Sequence, residues 1–452
     1  MPQLWRDAYL VLTGRRHVYY GWWLLAGSVV AMAIGSGVSF WAFGLYVGPL
    51  EDQFGWSRAE IAGGFSVGLL MSGLAAPLVG RWIDRYGPRR VILVGAVLTA
   101  ASYLLLAVTD TLWHWFVFQA INAVFRQLMF FIPFQALVTR WFDRRRGIAV
   151  GILATGFSLG GFVVVPIMRL VIDAVDWDGS FIFAGIVITA VFVPLSLLLV
   201  RDHPADVGTY VDGDEVPRTH AARAGVISGV TVHDAIRTPL FWAVALALMT
   251  FFYGMFGWMV HAIPFYESVG VSPGWAAGLV SIAAGGGIFS RLAFGYFADR
   301  IPSIEAASMV LAVFLGLSML TLLISGGSVA GLAIFIGFWI VGSGGGPMIE
   351  PLLLTRSFGV AHFASILGVV AVVETTGQIL SPTIAGAIFD ATGSYDWALV
   401  MFSAAIGASF VLFWVASRLP RPVIPEPELA PETAAGLSDP APRAAVEGTP
   451  DS

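Results

Sequence analysis

The segment G-R-W-I-D-R at positions 80–85 returns 215 residues later as G-Y-F-A-D-R at 295–300. Its surroundings return with it. F-G-W-S at 54–57 faces V-G-V-S at 269–272, and Pro49 faces Pro264, again at 215. L-V-T-R-W-F at 137–142 faces L-L-T-R-S-F at 353–358, and Pro166 faces Pro382, both at 216. Shared offsets over more than 100 residues of each half mark a duplicated chain.

What is duplicated follows from composition. The 452 residues are 57% hydrophobic and only 12% charged, whereas a soluble domain carries about 25% charged residues. Mean hydropathy is +0.82. Apolar runs of the length that crosses a bilayer, about 20 residues, fall at 20–47, 57–79, 89–109, 112–139, 147–172 and 180–200. They resume at 239–266, 274–297, 306–325, 329–355, 360–389 and 396–417. Backbone groups in lipid must be satisfied within the span, and nothing here alternates like a barrel strand, so every run reads as a helix. The expected architecture is an all-α integral membrane protein, twelve transmembrane helices in two six-helix bundles, 20–200 and 239–418. A linker at 201–238 joins them. Residues 1–19 read as an uncleaved segment that either lies along the interface through Leu4, Trp5, Tyr9, Leu10 and Leu12 or hangs free. The Pro/Ala/Glu-rich tail at 419–452 has too little apolar surface to order itself.

There is no cysteine, which excludes disulfides, thiolate metal sites and thiol catalysis. Every basic residue is arginine. Twenty of the 24 arginines fall in the first segment, the even-numbered connections, the linker and the tail, while the other connections carry Glu51, Asp52, Asp110, Asp173, Asp176, Asp178, Glu267 and Asp396. The positive-inside rule then places both termini in the cytoplasm, and a bacterial inner membrane is the expected location.

G-R-W-I-D-R-Y-G-P-R-R at 80–90 resembles the signature between helices 2 and 3 of the major facilitator superfamily, whose halves are parallel repeats around a midplane site. R-W-F-D-R-R-R-G-I-A-V-G-I-L-A-T-G-F-S-L-G-G at 140–161 is similar to the helix-5 signature of the monocarboxylate transporters and their oxalate/formate relatives. Y-Y-G-W-W at 19–23, G-W-S-R at 55–58 and S-R-L-A-F-G-Y-F-A-D-R at 290–300 resemble that group too. The resemblance implies alternating-access transport of a small organic anion, coupled to protons, by a monomer. No enzymatic activity, cofactor, metal or nucleic-acid partner is expected. It implies a gate at Asp84, Arg85, Arg89, Asp299 and Arg300, with Asp84 capping a neighbouring helix. Gly147, Gly151, Thr155, Gly156 and Gly160 form a small-residue stripe for helix packing.

Ionisable groups inside spans are costly, roughly 2.5–3.5 kcal/mol each, and mark function. Arg291 aligns with the family's substrate-anchoring arginine, and a guanidinium fork suits a carboxylate. Arg126 is either a second anchor or the mate of Glu374. Glu374 and His261 are the candidates for proton coupling, and Glu350, near the inner end of its helix, is assigned to the gate. Asn122, Tyr253, Gln119, Gln127, Gln135 and Trp258 could complete the cavity. Arg169 and Asp173, four apart, are expected to pair. Two positions depart from the animal transporters, where a helix-1 lysine and a helix-8 acid are replaced here by Trp41 and Gly287. Any proton coupling must use other groups. The helix-11 lysine of the oxalate exchangers has no counterpart, the charge there being Glu374. A proton-driven exporter of drug-like compounds and a non-transporting sensor are the competing readings.

Overall fold

The computed structural model describes residues 18–214 and 228–424. The remainder of the first segment, the middle of the linker and nearly all of the tail lie outside the described residues, so the readings made for them are not addressed. Among the described residues eleven long apolar helices are present, and one of them, Arg146–Leu199, turns at Val175 and Asp176, so that the spans number twelve. They are α1 (Tyr20–Phe54), α2 (Arg58–Tyr86), α3 (Pro88–Ala107), α4 (Leu112–Trp141), then α5 and α6 within Arg146–Leu199. In the second half they are α7 (Pro239–Ser268), α8 (Pro273–Ala298), α9 (Ile304–Ser325), α10 (Val329–Phe358), α11 (Phe363–Thr392) and α12 (Asp396–Arg418).

Local chemistry sets the ends. Ser57 and Glu60 form a reciprocal capping box at the start of α2, and the Thr111, Thr238, Ser303 and Ser328 side chains cap α4, α7, α9 and α10. These caps satisfy first-turn amides that have no partner within the helix. Between α5 and α6 the connection is a tight acidic turn, made at Val175 and at Asp176, whose φ is 60°. Arg169 and Asp173 pair just before it, at 2.9 Å.

Three spans are broken within the membrane, which the hydropathy pattern did not show. In α1 the α-helix stops at Ser39, and a 3₁₀ turn over Trp41–Tyr46 carries the chain on to Phe54, beyond the expected end at 47. In α4 the break is at Phe130 (φ −107°, ψ −103°), with Pro133 close behind. In α10 it is at Gly345, followed by Pro347. Proline removes an amide that the preceding turn needs, and the breaks in α4 and α10 fall at repeat-equivalent positions. Among its described residues the linker has 3₁₀ turns at Pro204–Val207 and Val211–Gly213 and a short helix at Val232–Ile236.

Helices α1–α6 pack together, as do α7–α12, and the bundles meet where α2 crosses α11 and α5 crosses α8. Glycine makes both crossings close. A Cβ on Gly80 would strike the Ala364 carbonyl, and one on Gly368 would strike that of Ala76. A Cβ on Gly295 would lie 2.7 Å from the Gly147 carbonyl. The small-residue stripe on α5 therefore serves two partners: Gly147 and Gly151 face α8, while Gly156 and Gly160 face α1. Among the described residues, every hydrogen bond between the bundles involves the arginine-rich halves of the spans or their middles. The bundles are thus closed together at the arginine-rich end.

A larger residue at Gly80 should loosen this closure. Overpacking costs about 1–3 kcal/mol, enough to shift a two-state population roughly tenfold. The chain has no cysteine, so Met348→Cys, a buried site beside Gly151 and Gly295, supplies a clean reporter. Maleimide labelling at that site should accelerate about tenfold when Gly80→Val is added. An unchanged labelling rate would show that closure does not depend on this approach.

Candidate functional site

The duplicated aspartates lie at the closed end. The Asp84 carboxylate, at the foot of α2, accepts the Ala364 and Ser365 amides at the start of α11, at 3.3 and 2.8 Å. Asp299, at the foot of α8, accepts the Gly147 and Ile148 amides at the start of α5, at 2.6 and 3.1 Å. Each acid of one bundle caps a helix of the other, where unpaired amides and the helix dipole favour an anion. Burial pushes the Asp299 carboxyl above its ordinary value, against the pull of the two amides and of Arg356 and Arg300.

The arginines expected beside them divide. Arg85 is exposed and lies over the Tyr86 ring. Arg300 lies over the Tyr296 ring of its own helix, 3.5 Å from its centre. Arg89 stays within the first bundle, donating to the Ser196 and Leu197 carbonyls at 2.9 and 2.8 Å. Asp84 instead faces the buried Arg140, 3.7 Å away. The repeat marked that position through L-V-T-R, since Arg140 and Arg356 are equivalent. Arg356 caps the end of α8 through the Ala298 and Ile301 carbonyls.

Further into the membrane lie the two arginines within spans. Where α1 breaks, the Ser39 carbonyl is released from the helix, and Arg126 Nη1 donates to it at 3.1 Å. The Tyr103 hydroxyl, 2.9 Å from Ser39 Oγ, completes this corner. Arg291 on α8 reaches across to the other bundle and hydrogen-bonds Ser158 on α5 through Nη1, while its Nε is buried without a partner. Among the described residues neither guanidinium forms an ion pair, so Arg126 is not the mate of Glu374. Next in the chain to the anchor residues Ser39 and Ser158 are Phe40 and Phe157, whose ring centres lie 5.4 Å apart. Trp41, at the position of the family's lysine, packs on Phe157 and donates to its carbonyl at 2.9 Å. Gly287 leaves room for a small group against Arg291: a Cβ there would meet the guanidinium at ordinary contact distance, 3.8 Å from Nη2.

The other candidates are engaged elsewhere. Asn122 is buried and donates to Ser102 at 3.0 Å within the first bundle. The Tyr253 hydroxyl meets the Met401 sulfur at 3.1 Å within the second. His261 bridges the Tyr395 hydroxyl and the Pro382 carbonyl, at 3.2 and 2.9 Å. Glu374 and Glu350 are both buried and face each other, with Gln135 of the opposite bundle on Glu350. Ser39, Tyr103 and Ser158 had no sequence signal. Their roles arise from a helix break and from contacts between distant spans.

The sequence model described as Major Facilitator Superfamily matches residues 29–355. Monocarboxylate transporter 11 of Homo sapiens is 27% identical, over 94% of this chain and 90% of that protein. The oxalate:formate antiporter of Oxalobacter formigenes is 24% identical, over 91% of this chain and 95% of its own length. Among solved structures, the proton:xylose symporter XylE shares the fold at a TM-score of 0.68 and 13% identity, over 89% of this chain and 96% of that one.

A carboxylate beside Arg291 should behave as a built-in competitor. Gly287→Asp is expected to raise the thermal midpoint, because a half-buried unpaired cation gains a partner, and to weaken binding of any external anion about tenfold or more. Gly287→Asn, of the same size and uncharged, should do neither. Equal behaviour of the two variants in thermal-shift titrations would remove Arg291 from the anion site.

Proposed function

The chain belongs to the Major Facilitator Superfamily, and from that premise we propose that it carries a small organic monocarboxylate across the membrane by alternating access. The observation that carries this reading is the pair of half-buried guanidiniums within spans that form no ion pair among the described residues. An unpaired cation in a low-dielectric interior is strongly unfavourable unless the function supplies an anion. Arg291 has an unused Nε, and its Nη2 lies nearest the position that a Cβ on Gly287 would take. Arg126 offers what its contact with the Ser39 carbonyl leaves free. One guanidinium in each bundle lets a single anion hold both halves, and a carboxylate matches the two-pronged donor geometry. The aromatic faces of Phe40, Trp41 and Phe157 suit the apolar part of such a substrate.

The two aspartate caps provide the closing device. They hold the arginine-rich end shut and must part for the substrate to leave there. With that end in the cytoplasm, as the positive-inside rule directs, this closed arrangement receives substrate from outside. The transport is proton-coupled in this reading. An exporter of neutral or cationic drug-like compounds would leave both guanidiniums uncompensated, so the anion reading is preferred.

The test is uptake of radiolabelled formate, lactate, pyruvate and oxalate into liposomes containing the purified protein, with and without an imposed pH gradient. One or more of the monocarboxylates should enter, faster with protons in excess outside. Arg291→Ala should reduce that uptake about a hundredfold, as truncation of one partner of a buried charge pair does. Arg291→Lys should recover only part of it, because the fork is lost. Transport by Arg291→Ala at the wild-type rate would refute the assignment.

A further inference from the structure

Two acids deep in the second bundle are not used by the anion site. Glu350 follows the break in α10, and Glu374 lies 11 residues into α11, about 16 Å along the helix from its arginine-rich end. They are only 4% and 5% exposed, and their carboxyls lie within hydrogen-bond reach of each other. The side chain of Gln135, on the second segment of α4 and so from the opposite bundle, reaches Glu350. The buried Oε1 atoms of Glu374 and Gln135 have no hydrogen-bond partner.

Among the described residues no cation pairs with either acid. Helix α11 packs against α2, α4, α7, α10, α12 and the short helix Val232–Ile236, and the second segment of α10 also meets α5 and α9. The charged and titratable groups that these bring toward the pair are committed elsewhere: Asp84 to the α11 amides and Arg140, Arg126 to Ser39, His261 to Tyr395 and Pro382, Asp234 to Thr231, Arg146 to Phe142 and Asp143, Arg356 to Ala298 and Ile301, Glu305 to Ser303 and Arg421. Arg291 on α8 is bonded to Ser158. Two ionised carboxylates cannot sit face to face in a dry interior, as the dyads of acid proteases illustrate. A proton between them supplies the donor that their contact needs.

We propose that Glu350 and Glu374 form a proton-binding site that holds one shared proton while the arginine-rich end is closed and releases it when that end opens. Gln135 gives the site its sensitivity to conformation. It belongs to the other bundle, so rocking the bundles apart withdraws its amide and admits water to the carboxyls. The O–H bond of the shared acid then breaks, its electron pair stays on the carboxylate, and the proton passes to water at that end. Among the described residues neither acid is bonded to Arg126 or Arg291, so proton and anion have separate partners and are linked by the same bundle movement. The coupling part of this inference rests on the carboxylate-transport reading; the shared proton does not.

Two measurements on the full-length protein test it. The first is infrared difference spectroscopy in liposomes, in H₂O and D₂O at neutral pH and without substrate. The wild type should show the carbonyl band of a single protonated carboxylic acid, and Glu350→Gln and Glu374→Gln should each alter or abolish it. Absence of the band in the wild type, or a band untouched by both variants, overturns the proposal and needs no folded variant for its first arm. The second is the number of protons entering per labelled lactate, read with a pH-sensitive dye inside the vesicles. It should fall from one toward zero in either variant, and an unchanged ratio overturns the coupling. If wild-type protein moves none of the four carboxylates while the band behaves as expected, the transport reading fails and the proton site stands.

Discussion

Inside a bilayer no water is available to satisfy a backbone amide or carbonyl, and most of the features of this molecule follow from that constraint. Unbroken helices meet it by themselves. Wherever a helix begins, ends or breaks, some other group must supply the missing bond, and in this chain those groups are the polar side chains on which function is proposed to rest. Asp84 and Asp299 each take two free amides at the start of a helix in the opposite bundle. Arg126 takes the carbonyl released where α1 stops. The cost of leaving backbone unsatisfied in lipid thus ties the closed arrangement and the charged interior to the same few helix ends.

The capping across bundles also makes the closure reversible. An aspartate bound to two amides at a helix start is well satisfied when dry, yet both partners are readily hydrated when separated. A glycine-lined crossing such as Gly80 on Ala364, or Gly295 on Gly147, adds close packing without interlocked side chains. Surfaces of this kind can part without first being unpacked, as rigid-body rocking about a central site requires.

The fold was largely legible before any coordinates, because it rests on signals that survive in one dimension. Span length, arginine placement and the constant 215–216 offset are all counted along the chain. The breaks in α1, α4 and α10 were not legible, since a broken helix is as apolar as an intact one and the prolines near two of the breaks also occur inside unbroken spans, as Pro77 does in α2. For the site, residue type pointed to Arg291, Arg126 and Glu374, but their partners could not be read. Glu350 and Glu374 are 24 positions apart on different helices, and Arg291 reaches Ser158 from 133 positions away. Asn122 and Tyr253 show the same limit from the other side: polar residues at plausible depth whose hydrogen bonds fall within their own bundle.

The repeat shows where the two halves have diverged. At the closed end they match: Asp84 with Asp299, Gly80 with Gly295, Arg140 with Arg356. Within the membrane they do not. At the same offsets Arg291 corresponds to Ala76, Arg126 to Gly342, Glu374 to Ser158 and Glu350 to Phe134. Each intramembrane charge proposed for function therefore has an uncharged counterpart, and one of those counterparts, Ser158, has become the partner of Arg291. A rocking motion needs two equivalent hinged halves, so symmetry at the gate is mechanically useful. A single asymmetric anion needs a site that differs on its two sides, and a proton site held apart from that anion needs further asymmetry. The division between conserved repeat and broken repeat follows this boundary between movement and recognition.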